Sequence, residues 1–503
     1  METLRELARI VTPRYPKRLE IASQADVQGE GLFGKLYKGV SDGSISTDFE
    51  GVQDLYGTQQ ANGPFRALKS RLRKKLLNVL FFIEFDIETD PERPRMLHEL
   101  GRDLFLVRTL IVLGARTLGV KIAENALEMA EKYEATAFSL EIQQQLRSHY
   151  ARQGNKRLFL QYSEAAHRSM KLLDAEMMAA EAYERIAVEF AYSTRPRPDL
   201  AEIAHRSVRA LDRLKATYPS FDIHLNYFRL SNFATQVVGN YESTIGTSEE
   251  ACKFLKARPH LTSPGRIGEF LIDELESCVF LRRYAQGERI AEECREHLGE
   301  GKNNWFIFME TYFLLAMHTR HFEKALEIFL TVSEQPRLAV QPEQRREKWR
   351  IFELYVRYLF PEVPIKKSLM YPGKRTFSLR NFMKQVPTYA RDKQGFNIAI
   401  LIAQILYLVD RKEFAQVIDR VEALRTYRSR YLGSDTHRQS SLFLRMLMRA
   451  VAKSFDRIAT IEACAKFQKE LLGSIANYNE ITDTIQILPL DWVWEKIVSG
   501  LPD

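Results

Sequence analysis

The stretch GEGLFGKLYKGVSDG, residues 29–43, holds two spacings that could do chemistry. Gly29-x4-Gly34-Lys35 has the glycine interval of a phosphate-binding loop. There, backbone N–H groups cradle phosphates, the lysine reaches them, and a following Ser or Thr holds magnesium. Here Leu36 follows Lys35, and the preceding EIASQADVQ is polar and lacks strand alternation. Gly39-Val40-Ser41-Asp42-Gly43 has the G-x-S-x-G interval of a hydrolase nucleophile turn. That chemistry needs a strand–turn–helix context, a histidine, an acid and donors for an oxyanion. Leu32, Phe33, Leu36, Tyr37 and Val40 instead fall at helical spacing, with Lys35 and Lys38 on the polar side and Gly43 placed to end the helix. The stretch therefore predicts one short amphipathic helix between glycine stops, and both patterns read as coincidences of glycine spacing. His318 and His321 are three apart on a helical segment, but no third ligand stands at a recognisable metal spacing. The expectation is a chain with no catalytic residue, no metal and no cofactor, and not an enzyme.

Residues suited to binding are concentrated in two basic segments. In PIKKSLMYPGKRTFSLRNFMKQVPTYARDK, residues 364–393, Lys366, Lys367, Lys374, Arg375, Arg380, Lys384, Arg391 and Lys393 alternate with Tyr371, Phe377, Phe382 and Tyr389. Only Asp392 opposes them. Cations engage phosphates through charge and aromatics stack on bases, so this mixture suits a nucleic acid or a phosphorylated or acidic protein. Its expected contacts are Lys366, Lys367, Tyr371, Lys374, Arg375, Phe377, Arg380, Lys384, Arg391 and Lys393, with Arg425, Arg428 and Arg430 placed to widen the patch. The bland alternative is a solvated loop pinned by its aromatics.

The second segment is a helix expected over Phe65 to Phe85, with the apolar stripe Phe65, Leu68, Leu72, Leu76, Val79 and Ile83. Its other side carries Arg66, Lys69, Arg71, Arg73, Lys74 and Lys75. Ser46-Thr47-Asp48 can cap a short helix before it, so helix, turn and basic helix follow the logic of a helix-turn-helix DNA reader. The eight-residue connector GTQQANGP departs from the usual three or four. The alternative is a helix that closes the first hairpin, with solvated cations.

These side chains must be positioned by something, and the pattern that surrounds them is helical almost throughout. AENALEMAEKY (123–133), LAEIAHRSVRALDRL (200–214) and FEKALEIFLTV (322–332) place apolar residues at i, i+3, i+4 and i+7. Helices that would be second in a hairpin begin near Val120, Leu158, Leu200, Tyr241, Tyr284 and Phe322, at intervals of about 40 residues. A unit of that length buries little alone and gains its core by stacking on its neighbours. The expected class is all-α: a right-handed α-solenoid of stacked helical hairpins with a small N-terminal helical head.

Composition bounds the setting. The 503 residues are 45% hydrophobic and 27% charged, with no apolar run approaching a membrane span. Cys252, Cys278, Cys294 and Cys464 form no C-x2-C pair, so reduced core cysteines are expected rather than a disulfide framework or zinc site. With METLRELARIV lacking the order of a secretory signal, the expected location is cytoplasmic. The formal charge is +8, yet residues 340–460 hold 24 Lys plus Arg against 11 Asp plus Glu, so the basicity is regional. Long-range attraction to an anionic partner is therefore expected of that region and not of the surface as a whole.

Phe322-x2-Ala325-x3-Phe329-x2-Val332 resembles the second helix of a tetratricopeptide unit, and Phe414-x2-Val417-x3-Val421-x2-Leu424 echoes it. The family expects a small residue in the first helix and a glycine at the turn, where this chain has Phe313 and Arg320. The resemblance covers roughly 95–335 and 395–470 and implies a binding scaffold with a protein or peptide in the solenoid groove. The expected organisation is a helix-turn-helix-like head over 1–90, a repeat block over 91–335, a basic proline-rich insertion over 336–395, and a second block over 396–503. In the second block, Trp492 and Trp494 of the terminal helix dock on the last repeat. The leading expectation is a non-enzymatic scaffold for a macromolecular, anionic partner, with no membrane association. The alternative is a DNA-binding regulator with a helical-repeat sensor, an order of parts that resembles bacterial peptide-sensing regulators.

Overall fold

A computed structural model describes residues 1–11, 31–58, 63–80, 91–192, 197–365, 369, 379–384, 396–431, 438–476 and 486–502. The described residues form an all-α, solenoid-like stack of helical hairpins, divided into two compact units, Met1–His167 and Arg168–Asp503.

In the first unit, α1 (Glu2–Val11), α2 (Leu32–Asp42), α3 (Asp48–Tyr56) and α4 (Gly63–Val79) make the head. The stripe of α4, Phe65, Leu68, Leu72 and Leu76, meets Leu4 and Ala8 of α1 and Phe33, Leu36 and Val40 of α2 in one buried cluster. Thr47 opens α3 with a capping box: Oγ1 accepts from Glu50 N at 3.2 Å, and Thr47 N donates to Glu50 Oε2 at 2.9 Å. Gly39 is needed for packing, since a Cβ there would lie 2.5 Å from Ile45 Cδ1. Beyond the head, α5 (Glu92–Val112), α6 (Arg116–Lys132) and α7 (Thr136–Arg152) stack through Leu100, Leu104 and Val107, Ala123, Ala126 and Ala130, and Ile142 and Leu146. Buried Arg93 ties the start of α5 to the next turn, donating to Tyr133 O at 3.2 Å and Glu134 O at 3.3 Å.

The division between units falls inside α8 (Lys156–Tyr192). The period predicts a break in this stretch, but its 37 residues contain neither glycine nor proline and continue as one helix. The second unit continues through α9 (Arg197–Thr217), α10 (Phe221–Val237), α11 (Tyr241–Lys256), α12 (Pro264–Leu281), α13 (Tyr284–His297), α14 (Asn303–His318) and α15 (Phe322–Glu334). Second helices thus begin at Arg116, Lys156, Arg197, Tyr241, Tyr284 and Phe322, within four residues of the periodic expectation. First helices α12 and α14 also pack on each other, which is the stacking a repeat needs to complete its core.

Within the expected insertion, the helix the sequence places at Glu343 to Leu359 is present with those bounds, as α16 (Glu343–Leu359), and is a core element. It packs on α15 and α18, with Trp349, Phe352 and Tyr355 fully buried and Phe352 stacked on Phe313 at 4.3 Å. This explains Phe313 where a small residue is expected: the neighbouring helix supplies an aromatic partner. A short α17 (Leu379–Lys384) precedes the hairpins α18 (Phe396–Asp410) with α19 (Phe414–Tyr431), and α20 (Arg438–Ala452) with α21 (Arg457–Ala476).

The terminal helix α22 (Leu490–Ser499) packs on α18, α20 and α21, and buried Trp494 lies in that core. It also reaches back to the middle repeats. Asp491 accepts from Arg282 at 2.9 Å and from Arg320 at 3.2 Å, Glu495 pairs with Arg320, and Trp492 meets Phe322 edge-on at 5.4 Å. Arg282 and Arg320 occupy equivalent turns of successive hairpins, both at positive φ, 51° and 63°. Glycine is the easier residue there. Both arginines there pair with Asp491 of α22.

Candidate functional site

The glycine patterns of residues 31–43 fall within a continuous helix. Gly31 caps α2, Lys35 N donates to Gly31 O at 3.0 Å, and Gly34 and Lys35 lie in the first turns; Gly29 lies outside the described residues. Ser41 is exposed in the last turn, before Gly43 at φ 86°. Asp42 accepts from Ser44 N at 2.9 Å and Ser44 Oγ at 2.7 Å, which holds its carboxyl below the usual range. Among the described residues 31–43, the lysine and the serine of the two patterns lie on a helix and not on a phosphate cradle or a strand-borne nucleophile turn.

The cations of α4 separate into three groups. Lys69 is committed to Asp48, with Nζ 2.7 Å from Oδ1. Arg71 and Lys75 lie over the Phe33 ring at 5.1 and 4.9 Å, covering the head's core with their stems. Arg66, Arg73 and Lys74 are exposed and have no partner among the described residues. Of the six expected nucleic-acid contacts, three are thus without a partner among the described residues and three have one.

Of the expected contacts at 364–393, Lys366, Lys367, Tyr371, Lys374, Arg375, Phe377, Arg391 and Lys393 lie outside the described residues. Arg380 and Lys384 fall on α17, with side chains likewise outside the description. What the structure places is the anchorage. Phe382 is fully buried, its carbonyl accepts from Gln404 Nε2 at 3.0 Å, Met383 O accepts from Arg420 at 2.8 Å, and Leu369 O accepts from Arg350 at 3.1 Å. At least one of the interleaved aromatics thus pins the segment. Arg425 is exposed and pairs with Glu422, while the side chains of Arg428 and Arg430 are outside the description.

His318 and His321 point to different partners. His318 Nε2 donates to Gln486 O at 2.5 Å, and burial lowers its pKa to about 4. His321 stacks on Tyr284 and approaches Thr319 Oγ1 at 3.0 Å.

The most unusual chemistry lies on α12, which sequence reading passed over. One side of this helix carries Glu269, paired with Arg229 at 2.6 Å, and Asp273, which accepts from Asn232 Nδ2 at 2.8 Å. Burial pushes the Asp273 carboxyl up to about 7, against the pull of Asn232. The other side carries Glu274, 6% exposed, which lines a cavity of about 320 Å³ between α11, α12 and α13. Its pKa rises to about 8, first through burial and then through the charges of Glu249 and Glu293. Cys252, Cys278 and Cys294 are all buried around it, and burial pushes the thiols of Cys252 and Cys278 up to about 12, so they are inert thiols. One sequence signal pointed here: LIDELESC sets three acids, Asp273, Glu274 and Glu276, in a largely apolar run, and a single exposed side cannot take adjacent Asp273 and Glu274 as well as Glu276.

No family model, no curated protein and no solved structure matches this chain. The fold and its side chains define an all-α protein of stacked, repeat-like helical hairpins.

Proposed function

We propose that this chain is a non-enzymatic helical-repeat scaffold of the cytoplasm whose stacked hairpins hold a protein partner. The observation that carries the reading is the corner between α5 and α6, where Val112 and Leu113 are 84% and 76% exposed. Leu106 and Leu118 open beside them in sequence. Neighbouring large apolar side chains left in water cost stability and mark surfaces that another protein covers. Four buried free cysteines support the location, and no helix among the described residues is long and apolar enough to cross a membrane. The basic segment 364–393 adds an anionic character to the expected partner.

The test compares affinity capture by the native chain with capture by a Val112→Glu, Leu113→Glu variant. The expected result is a discrete set of captured proteins lost from the variant, with the helical circular dichroism signal and melting unchanged. Identical capture by both forms overturns the reading.

A second reading rests on Arg66, Arg73 and Lys74, the open cations of α4: a head that touches nucleic acid, as in a DNA-binding regulator. On this reading the chain binds duplex DNA at low salt, binding weakens steeply as salt rises, and Arg66→Glu, Arg73→Glu, Lys74→Glu abolishes it. A native chain without duplex binding at low salt removes this reading.

A further inference from the structure

We propose that the cavity between α11, α12 and α13 is a binding site for an alkylammonium group, with Glu274 as its counter-charge. Glu274 is 94% removed from solvent, faces the cavity, and makes no hydrogen bond or ion pair among the described residues. A buried carboxyl is ordinarily satisfied by a neighbour, because desolvation without a partner is costly. Here the open side of the group is the cavity itself. At about 320 Å³ the space admits a chain of several methylenes ending in one charged group.

The lining decides which ligand fits. Cys252, Leu271 and Ile290 give apolar walls along which methylenes lie, and Glu274 stands among them. At the mouth, Lys256 is held in an ion pair by Glu293, while Glu249, Lys253 and Arg289 are exposed and leave the field there mixed. The cations that line the cavity, Lys253 and Arg289, are exposed at its mouth and Lys256 is committed to Glu293, so an anion inside it meets the Glu274 carboxyl without an uncommitted buried cation. A metal ion finds no group of three carboxylate, thiol or imidazole ligands among the described residues. An ammonium on an alkyl stem displaces the proton that burial holds on the carboxyl, pairs with the resulting carboxylate through charge-assisted hydrogen bonds, and lays its methylenes along the apolar wall. The same chemistry is offered by a lysine of a protein partner and by a free amine. The site stands independently of the α5–α6 corner.

Calorimetric titration of the full chain tests this, with n-butylammonium, N-acetyl-lysine amide and the uncharged N-acetyl-norleucine amide as probes. The expected result is saturable binding of at least one ammonium probe, at least tenfold weaker in Glu274→Gln, and no binding of the norleucine analogue. Binding of the lysine amide alone assigns the site to a protein side chain, and binding of butylammonium as well admits a free amine. The proposal is overturned when neither ammonium binds the native chain, when Glu274→Gln binds them equally, or when the norleucine analogue binds as tightly. Circular dichroism of Glu274→Gln, whose side chain is nearly isosteric, separates loss of the site from loss of the fold. Protein capture through Val112 and Leu113 is unaffected by this substitution, so failure of the site and failure of the scaffold reading give different results.

Discussion

Glu274→Gln is expected to stabilise the chain at alkaline pH and to leave it unchanged in acid. The carboxyl titrates at about 8 in the folded chain against 4.5 when free. The folded state therefore holds a proton that the unfolded state releases, and between those values stability falls as pH rises. Above the folded value the full cost is present, on the order of a few kcal/mol after allowance for relaxation around the buried group. Glutamine keeps the shape and removes the titration. Urea denaturation of both forms from pH 4 to pH 9 measures the difference, which grows from near zero below pH 4.5 to its maximum above pH 8. A pH-independent difference would show that Glu274 ionises freely in the fold. Asp273, raised to about 7, adds its own slope to both proteins and cancels from the comparison except where the two charges interact.

The repeat was legible because its signal is local. Apolar spacing and short breaker clusters set the helix starts, and Tyr241, Tyr284 and Phe322 open helices where the period places them. What the sequence could not place were partners distant along the chain. Lys69 and Arg66 look alike on the helical wheel, yet Asp48, 21 residues away, removes Lys69 from the open surface. Phe313 and Arg320 looked like departures from a repeat, and both answer to tertiary contacts: Phe352 on the next first helix, and Asp491 far down the chain. Propensity marks a turn as suited to glycine; only the fold reveals that the arginine there reaches Asp491. Glu274 was hidden for the opposite reason, since a charged residue on a helix is ordinarily read as solvated, and its burial follows from α12 being enclosed by α11, α13 and α14 together.

Trp494→Ala is expected to cost about 3–5 kcal/mol, as large-to-small changes at fully buried aromatics do. Trp494 is 2% exposed and lies in α22, which packs on α18, α20 and α21. The loss extends further because the same helix carries Asp491 to the turns at Arg282 and Arg320. Undocking α22 leaves those two arginines at positive φ with no compensating contact. Trp492→Ala, removing a half-buried ring from the edge of Phe322, is expected to cost about 1–2 kcal/mol. Acid acts on the same joint. Burial opposes ionisation of Asp491, but Arg282 outweighs it and holds the carboxyl below its usual range, so its contribution is lost as pH falls through that lowered value. His318, lowered from 6.5 to about 4, binds its proton more readily when unfolded, so its contribution also falls as pH drops through that interval. Hydrogen exchange in Trp494→Ala should therefore accelerate at the turns around residues 282 and 320 as well as in α22. Acceleration confined to α22 would mean that the middle repeats hold their turns without it.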